Sequence, residues 1–385
     1  MIVFCIDSVE RFDFFYRMYE ALRANYGIKL VTTEPLVWLK AKYNGLSVTL
    51  ITSSELKIDD LKRYVESSIE VLNNQYTERQ AEKYFSSIVK ALMDEDLKSK
   101  FVVWNGQHVF GRALEYIADK EGVYVRFLEI SNLPSLIFSD PMGVNANSSI
   151  AKEPELLDLY PPVDNEHHQL WIKSYLKEKE KPLPQARKGV GKKLQSFLNT
   201  LFKRMYPAVN VNSFSVMYSK SKPPKLIASG AWKEVRGYVF LPLQVSTDTQ
   251  IKLHSEINNI AAIKVASDIA MNLGAPFICK IHPAETSVDE VRNIEEAVAR
   301  LGGVISVENT TKLIEGSAAV VTINSTVGLE ALILDKKVIV LGSALYKNFN
   351  QDRLKKYIHH YLIPGIDYFG YEKISVESAE RVIGL

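Results

Sequence analysis

The chain has 385 residues, more than one ordinary hydrophobic core organises, and a length that suits two α/β domains. Hydrophobic residues make up 46% of it, which excludes a chain disordered by composition. Lys and Arg number 47 against 45 Asp and Glu, so the formal charge is only +2. That balance excludes a global polyanion-binding surface, and no nucleic-acid partner is expected.

In chain order, IVFCI opens as a strand and FDFFYRMYEALRANYG follows as a helix ending at Gly27. KLVTTE and SVTLITS read as further strands, SIVKALMDEDL as a helix, and FVVWNG as a buried strand ending at Gly106. GRALEYIADKEG is a helix closed by Gly122, and VYVRFLEI is a strand again. Strands that alternate with helices imply a mainly parallel sheet with crossover helices. Cys5 and Cys279 each sit inside an apolar run and read as buried, reduced thiols, which favours a reducing compartment. The first apolar run is broken by Asp7 and Glu10, so it reads as a core strand and not a secretory signal. No apolar segment approaches the roughly 20 residues that span a bilayer. A cytoplasmic protein is expected.

Residues 155–225 break the β-α rhythm and read as helices plus a basic connection between the domains, with Pro182 and Pro184 inside it. Leu194, Phe197, Leu198, Leu201 and Phe202 form an apolar stripe at helical spacing, flanked by Lys188, Lys192, Lys193, Lys203 and Arg204. Two readings stay open for 188–204: a basic amphipathic helix on the inner face of an anionic membrane, or a helix packed on its own domain. The first domain is expected over 1–215 and the second over 225–350. The tail 351–385 is expected to pack back on the first.

The second half repeats the β-α pattern: YVFLPLQV, then the helix SEINNIAAIKVASDIAMNLG with Ser255 as N-cap, then the strand APFICKIH. SVDEVRNIEEAVARLGG opens on a Ser287–Glu290 capping box. VISV, AAVVTIN and KVIVLG are strands, and STVGLEALILD is a helix. The expected fold is α/β with two Rossmann-like domains.

Open α/β sheets bind ligands at the C-terminal ends of their strands, and three segments of the second half lie there. KIHPAE carries Lys280, His282 and Pro283, with the proline fixing the turn that aims the histidine. INSTVGLEAL puts Asn324, Ser325 and Thr326 at a helix N-terminus, a ready phosphate site, with Glu330 one turn further on. Simple N-capping by Ser325 is the alternative. PLQVSTDTQI carries Gln244 and Asp248; the carboxylate suits nucleophilic or acid/base work at an anomeric carbon, or else caps the next helix. Neither a P-loop nor a GxGxxG fingerprint is present. In the first half, Asn105, Gly106 and His108 end one strand and Glu129 ends another. FSDPMGVNANSS reads as a turn-rich loop carrying Asp140, Asn145 and Ser148. Glu129 is the acid/base candidate of this half, with a structural carboxylate as the alternative.

FLEISNLP with SDPMGVNANSS, then PLQVSTDTQI, then KIHP, then NSTVGLEALILDKKVIVLG together resemble bacterial capsule polysaccharide biosynthesis proteins. Within that family they are most similar to the retaining β-Kdo transferases of capsule and O-antigen assembly. The resemblance implies a GT-B-like fold, two Rossmann-like domains facing a central cleft. It also implies a CMP-β-Kdo donor held in the C-terminal domain and a glycan or glycolipid acceptor on the N-terminal side. Carried over residue by residue, His282, Ser325 and Thr326 would hold the CMP phosphate. Asp248 would be the nucleophile of a double displacement, and Glu129 would serve the acceptor hydroxyl. The family's acid-then-glycine pattern reads Glu129-Ile130-Ser131 here, a departure from it. No Asp-x-Asp metal signature is present, and a monophosphate leaving group asks for less charge neutralisation than a diphosphate, so no cofactor and no metal are expected. Alternatives are a transferase using CMP-sialic acid or a UDP-sugar, and a non-catalytic polysaccharide-binding or export scaffold.

Overall fold

The computed structural model describes residues 1–54, 56–131, 133–179, 199, 202, 203, 224 and 236–385. It divides into two compact units. The first gathers the described residues of Met1–Ser149, Val163–Val216 and Tyr357–Leu385, and the second those of Ile150–Pro162 and Met217–Lys356.

In the first unit, β1 (Ile2–Ile6) is buried along its whole length, as its unbroken apolar sequence demands of a central parallel strand. It is flanked in parallel by β2 (Ile28–Thr32) and β4 (Lys100–Trp104). β3 (Val48–Leu50) extends one side and β5 (Tyr124–Ile130) the other. The order β3-β2-β1-β4-β5 is the doubly wound Rossmann order. β6 (Leu136–Asp140) and β12 (Ile363–Pro364) then close the β5 edge antiparallel. The helix Phe12–Leu22 turns Phe14, Phe15, Met18 and Leu22 onto this sheet. Ile363, Ile374 and Val382 of the chain's end complete the same core. The helix Asn165–Lys179 is tied to the end segment by His168 Nδ1 against His359 Nε2 at 3.0 Å.

The second unit repeats the plan. β7 (Tyr238–Pro242) lies between β8 (Phe277–Lys280) and β10 (Ser317–Thr322), with β9 (Val304–Ile305) beyond β8 and β11 (Lys337–Val340) beyond β10, all parallel. Numbered within the unit, that is again the 3-2-1-4-5 order. Helices Asn259–Asn272 and Val288–Arg300 pack Ile263, Ala266, Ile294 and Val298 onto one face. The fold is therefore α/β with two Rossmann-like units, each built on its own core.

Several expectations need correction. Ile150–Pro162 belongs to the second unit and not the first. Its Asp158 takes two bonds from Arg353, at 3.0 and 2.7 Å, and Glu155 lies 3.3 Å from the same guanidinium. The tail divides accordingly: residues to Lys356 stay with the second unit. The helix expected from Ser255 begins at Asn259, capped by Asn258, whose side chain takes the Ala261 N–H. Ser255 closes a local turn on Ile257 instead. Phe138–Asp140, read as loop, ends strand β6. Apart from Asn199, Phe202 and Lys203, the basic stretch 188–204 lies outside the described residues.

Candidate functional site

The second unit's strand ends meet at the switch between β7 and β10, where the chain runs off to opposite sides of the sheet. Gln244 follows β7 and Asn324 follows β10. The Gln244 amide donates to Asn324 Oδ1 at 2.9 Å and to Asp248 Oδ2 at 3.2 Å, and accepts from the Asn324 N–H at 3.2 Å. Asn324 donates its own amide to the Gln250 carbonyl at 2.9 Å. Behind this network, buried Asn259 grips the Gln244 backbone from both sides, at 3.4 and 2.9 Å. Asp248 is the N-cap of Thr249–His254, with Oδ1 on the Gln250 N–H at 2.9 Å. The capping geometry and the strand-end position thus coexist in one side chain.

His282 Nδ1 accepts the Ala284 N–H at 3.1 Å, which leaves the neutral ring's proton on Nε2. Desolvation draws its pKa down, with Asp248 and Glu285 opposing. Glu285 ties the two loops together: it is 2% exposed and accepts the Ser246 N–H at 2.7 Å and the Thr286 and Ser287 N–H groups at 2.8 Å. Burial alone would push its carboxyl up, but those donors outweigh burial and hold it below the usual range.

Ser325 caps the helix Thr326–Ile333 through the Val327 N–H at 3.2 Å, and Thr326 is exposed at its first turn. The Tyr346 hydroxyl donates to the Ser325 carbonyl. Gly328 is required there, because a Cβ would lie 2.3 Å from Tyr346 Oη. Pro283 is exposed beside His282. Two expected donor-binding residues are turned to other work. The Lys280 ammonium donates to the Glu308 carbonyl at 2.5 Å and to Thr310 Oγ1 at 3.0 Å. Glu330 bears electrostatically on Lys280 and Tyr346.

The first unit's strand ends carry charge instead. Asp7, just past β1, pairs with Arg11. Glu129 ends β5, with Oε2 on the Asn105 amide and Oε1 on the Ile130 N–H at 3.0 Å. Burial pushes its pKa up, opposed by those bonds and by Arg11 and His108. His108 Nδ1 lies 3.1 Å from Glu70 Oε1, and Glu70 Oε2 accepts the Val109 N–H at 3.1 Å. Glu34, past β2, pairs with Lys203 at 2.8 Å. Gly106 carries φ +76°, and a Cβ there would lie 2.6 Å from the Phe127 ring, so only glycine makes the turn that presents His108.

Asp140 was expected to face an acceptor and does not. It is fully buried, and its carboxylate is taken up by the N–H groups of Met142, Gly143 and Ser149 and the hydroxyls of Ser149 and Tyr361. Ser148, also fully buried, bonds the Asn145 carbonyl at 2.7 Å; Asn145 is left with φ +53° at the turn. This trio braces a loop. Sequence reasoning missed Arg11, Glu34, Glu70, Asn259, Glu285 and Tyr346. Glu285 stands three residues past His282 and was in reach of the strand-end rule, whereas Glu70 follows no strand and carried no signal. Among the described residues, no helix is long and apolar enough to cross a membrane.

The family model for capsule polysaccharide biosynthesis proteins matches residues 100–350. Protein FixF of Sinorhizobium fredii is 41% identical over 115 residues, 29% of this chain and 27% of that protein. The capsule polysaccharide export protein KpsS of Escherichia coli is 25% identical over 261 residues, 61% of this chain and 62% of KpsS. The chain thus spans less than two thirds of either curated relative. Among solved structures, the β-Kdo 2,7 transferase of Thermosulfurimonas dismutans KpsC is similar at 19% identity and a TM-score of 0.42, over 77% of this chain and 87% of that one. With the family model covering well over half of its length, the chain belongs to the capsule polysaccharide biosynthesis protein family.

Proposed function

We propose that this chain is a glycosyltransferase of the GT-B-like kind that moves Kdo from CMP-β-Kdo to a bacterial surface polysaccharide or glycolipid, with retention through Asp248. The observation that carries the reading is the β7/β10 switch point, where Gln244, Asp248 and Asn324 form one network beside a helix N-terminus. A phosphate monoester is matched there by neutral donors: Ser325, Thr326, the first-turn N–H groups and His282 Nε2. Asp248 Oδ2, oriented by the Gln244 amide, attacks the anomeric carbon as the bond to the CMP oxygen breaks. The second displacement, by an acceptor hydroxyl, releases the enzyme. No metal is invoked, because a monophosphate leaving group disperses its charge onto those donors.

The test is intact-protein mass spectrometry after incubation with CMP-Kdo made in place by its synthetase, with CMP release followed in parallel. One Kdo added to wild type and absent from Asp248→Ala supports donor and mechanism together. CMP release without any adduct, undiminished in Asp248→Ala, rules Asp248 out as nucleophile. No adduct and no CMP release favours the second reading, a non-catalytic scaffold. That reading draws on Asp248 already being engaged through both oxygens and on the export role in the name of the E. coli relative. It predicts that Asp248→Ala leaves capsule assembly intact.

A further inference from the structure

We propose that Glu285 is a positioning residue for the first displacement: its buried carboxylate clasps the turn that carries Asp248 to the turn that carries His282, and so sets the nucleophile in register with the phosphate donor. The inference rests on the transferase reading above, and every residue it uses lies in the second unit.

Two β-turns follow β7 and β8. The Asp248 N–H closes the first on the Val245 carbonyl at 2.9 Å, with Ser246 second in the turn. The Glu285 N–H closes the other on the His282 carbonyl at 2.9 Å, with Pro283 second. The strands themselves are paired as far as Pro242 and Lys280, and the Leu243 N–H still reaches the Lys280 carbonyl at 2.9 Å. Past that point the tie passes to a side chain. Glu285 Oε2 accepts the Ser246 N–H at 2.7 Å, and the Ser246 side chain adds a further hydrogen bond. Glu285 Oε1 accepts the Thr286 and Ser287 N–H groups of its own segment, both at 2.8 Å. One carboxylate thus serves both turns with an oxygen for each. It is buried, so water competes little for these bonds, and the donors keep it ionised across the neutral range.

The chemistry needs such a tie. In a nucleoside-monophosphate sugar, phosphorus and anomeric carbon share one bridging oxygen. On the proposed reading His282 Nε2 holds the phosphate while Asp248 Oδ2 attacks the neighbouring carbon. The bond from Oδ2 to carbon forms, the bond from carbon to the bridging oxygen breaks, and its electron pair leaves with CMP. Asp248 is already oriented by the Gln244 amide and the Gln250 N–H. The clasp relates that carboxylate to the His282 turn, and a misplacement of about 1 Å between them costs on the order of 10²-fold in rate.

The test uses the full chain with CMP-Kdo generated in place by excess synthetase. CMP release gives kcat, and calorimetry with CMP gives both affinity and the fraction of chains that bind. In Glu285→Gln one amide oxygen can keep the Thr286 and Ser287 N–H groups, which turns the NH2 toward the Ser246 N–H, donor against donor. Ser246→Pro cuts the same tie from the other side, removing N–H and hydroxyl at the turn position that accepts proline most readily. Each variant is expected to lose about 10²-fold in kcat while CMP affinity per binding-competent chain changes by no more than about threefold. The assignment is overturned if kcat stays near wild type in either variant. It is equally overturned if the loss of rate only follows the fraction of chains that bind CMP, which is a stability effect, or if affinity falls as far as rate, which makes Glu285 part of the phosphate site. Absence of CMP release by wild type removes the transferase reading itself, an outcome distinct from turnover that ignores the clasp.

Discussion

The two units share a strand order and differ in what stands at its switch point. In the second unit the junction is lined by neutral amides, hydroxyls and a helix N-terminus, with the Asp248 carboxylate bonded to the Gln244 amide and the Glu285 carboxylate taken up by backbone N–H groups beside it. In the first it is lined by ionisable groups in pairs: Asp7 with Arg11, Glu34 with Lys203, Glu70 with His108. The same topology therefore supplies a place, and the side chains supply the task. Neutral donors suit an anion that arrives with its own charge and must leave again. The two histidines show the division most directly: burial holds His282 toward its neutral form, while Glu70 draws His108 toward its charged one.

The sharpest way to break this contrast is Asp248→Ala. Glycosyl transfer should fall by about 10³-fold or more, while CMP affinity, measured by calorimetry, changes little. A loss of CMP affinity as large as the loss of rate would make Asp248 a donor-binding group and undo the division of labour. His282→Ala should lower kcat/KM by about 10²-fold, the usual effect of one preorganised donor on developing charge. On the proposed reading the neutral ring is the donor, so CMP binding by wild type should stay flat as pH passes from 8 down through the ordinary histidine value of about 6.5. A binding curve that strengthens through that value would mean that the imidazolium binds.

Two smaller effects concern stability. Gly328→Ala should destabilise the second unit by about 1–3 kcal/mol through overpacking against Tyr346. Adding Tyr346→Phe should recover part of it, because the hydroxyl is the nearest clashing atom; a thermal-melt double-mutant cycle reads the coupling. Glu285→Gln should cost about 1.5 kcal/mol by weakening three N–H bonds to a buried carboxylate. The folded pKa of Glu285 is depressed, so its contribution is present above the unfolded value of about 4.5 and fades as pH falls through the folded one. Melts of wild type and Glu285→Gln should therefore converge on acidification. His108 runs the other way. Its folded pKa is raised, so its contribution is complete below the unfolded value and fades as pH rises through the folded one.

Much of this was legible in the sequence because parallel strands announce themselves. VFCI, FVVW, YVFL and AAVV are short, apolar runs, and each lies in a central strand. Gln244, His282 and Asn324 were expected just past strands by the same logic, and they follow β7, β8 and β10. Partners brought in from elsewhere along the chain were not legible. Glu70 reaches His108 from a four-residue helix, and Asn259 reaches Gln244 from the first turn of a helix whose N-cap lies three residues later than expected. Asp140, Asn145 and Ser148 misled for the converse reason: polar residues in a turn-rich stretch look alike whether they face solvent or satisfy one another. Strands β6 and β12 pair antiparallel over few residues and carry too little periodicity to register.

Cys5 lies in β1 and Cys279 in β8, one in each unit, both wholly buried with thiols pushed far toward the protonated form. The molecule thus carries one silent reporter per sheet. A thiol reagent added to the native protein should label neither until the surrounding sheet opens, and the mass of the labelled peptide then names the half that opened. Without any engineered probe, the order in which the halves come apart under denaturant, and the degree to which CMP protects one and leaves the other unchanged, becomes a reading of two cysteine masses against time.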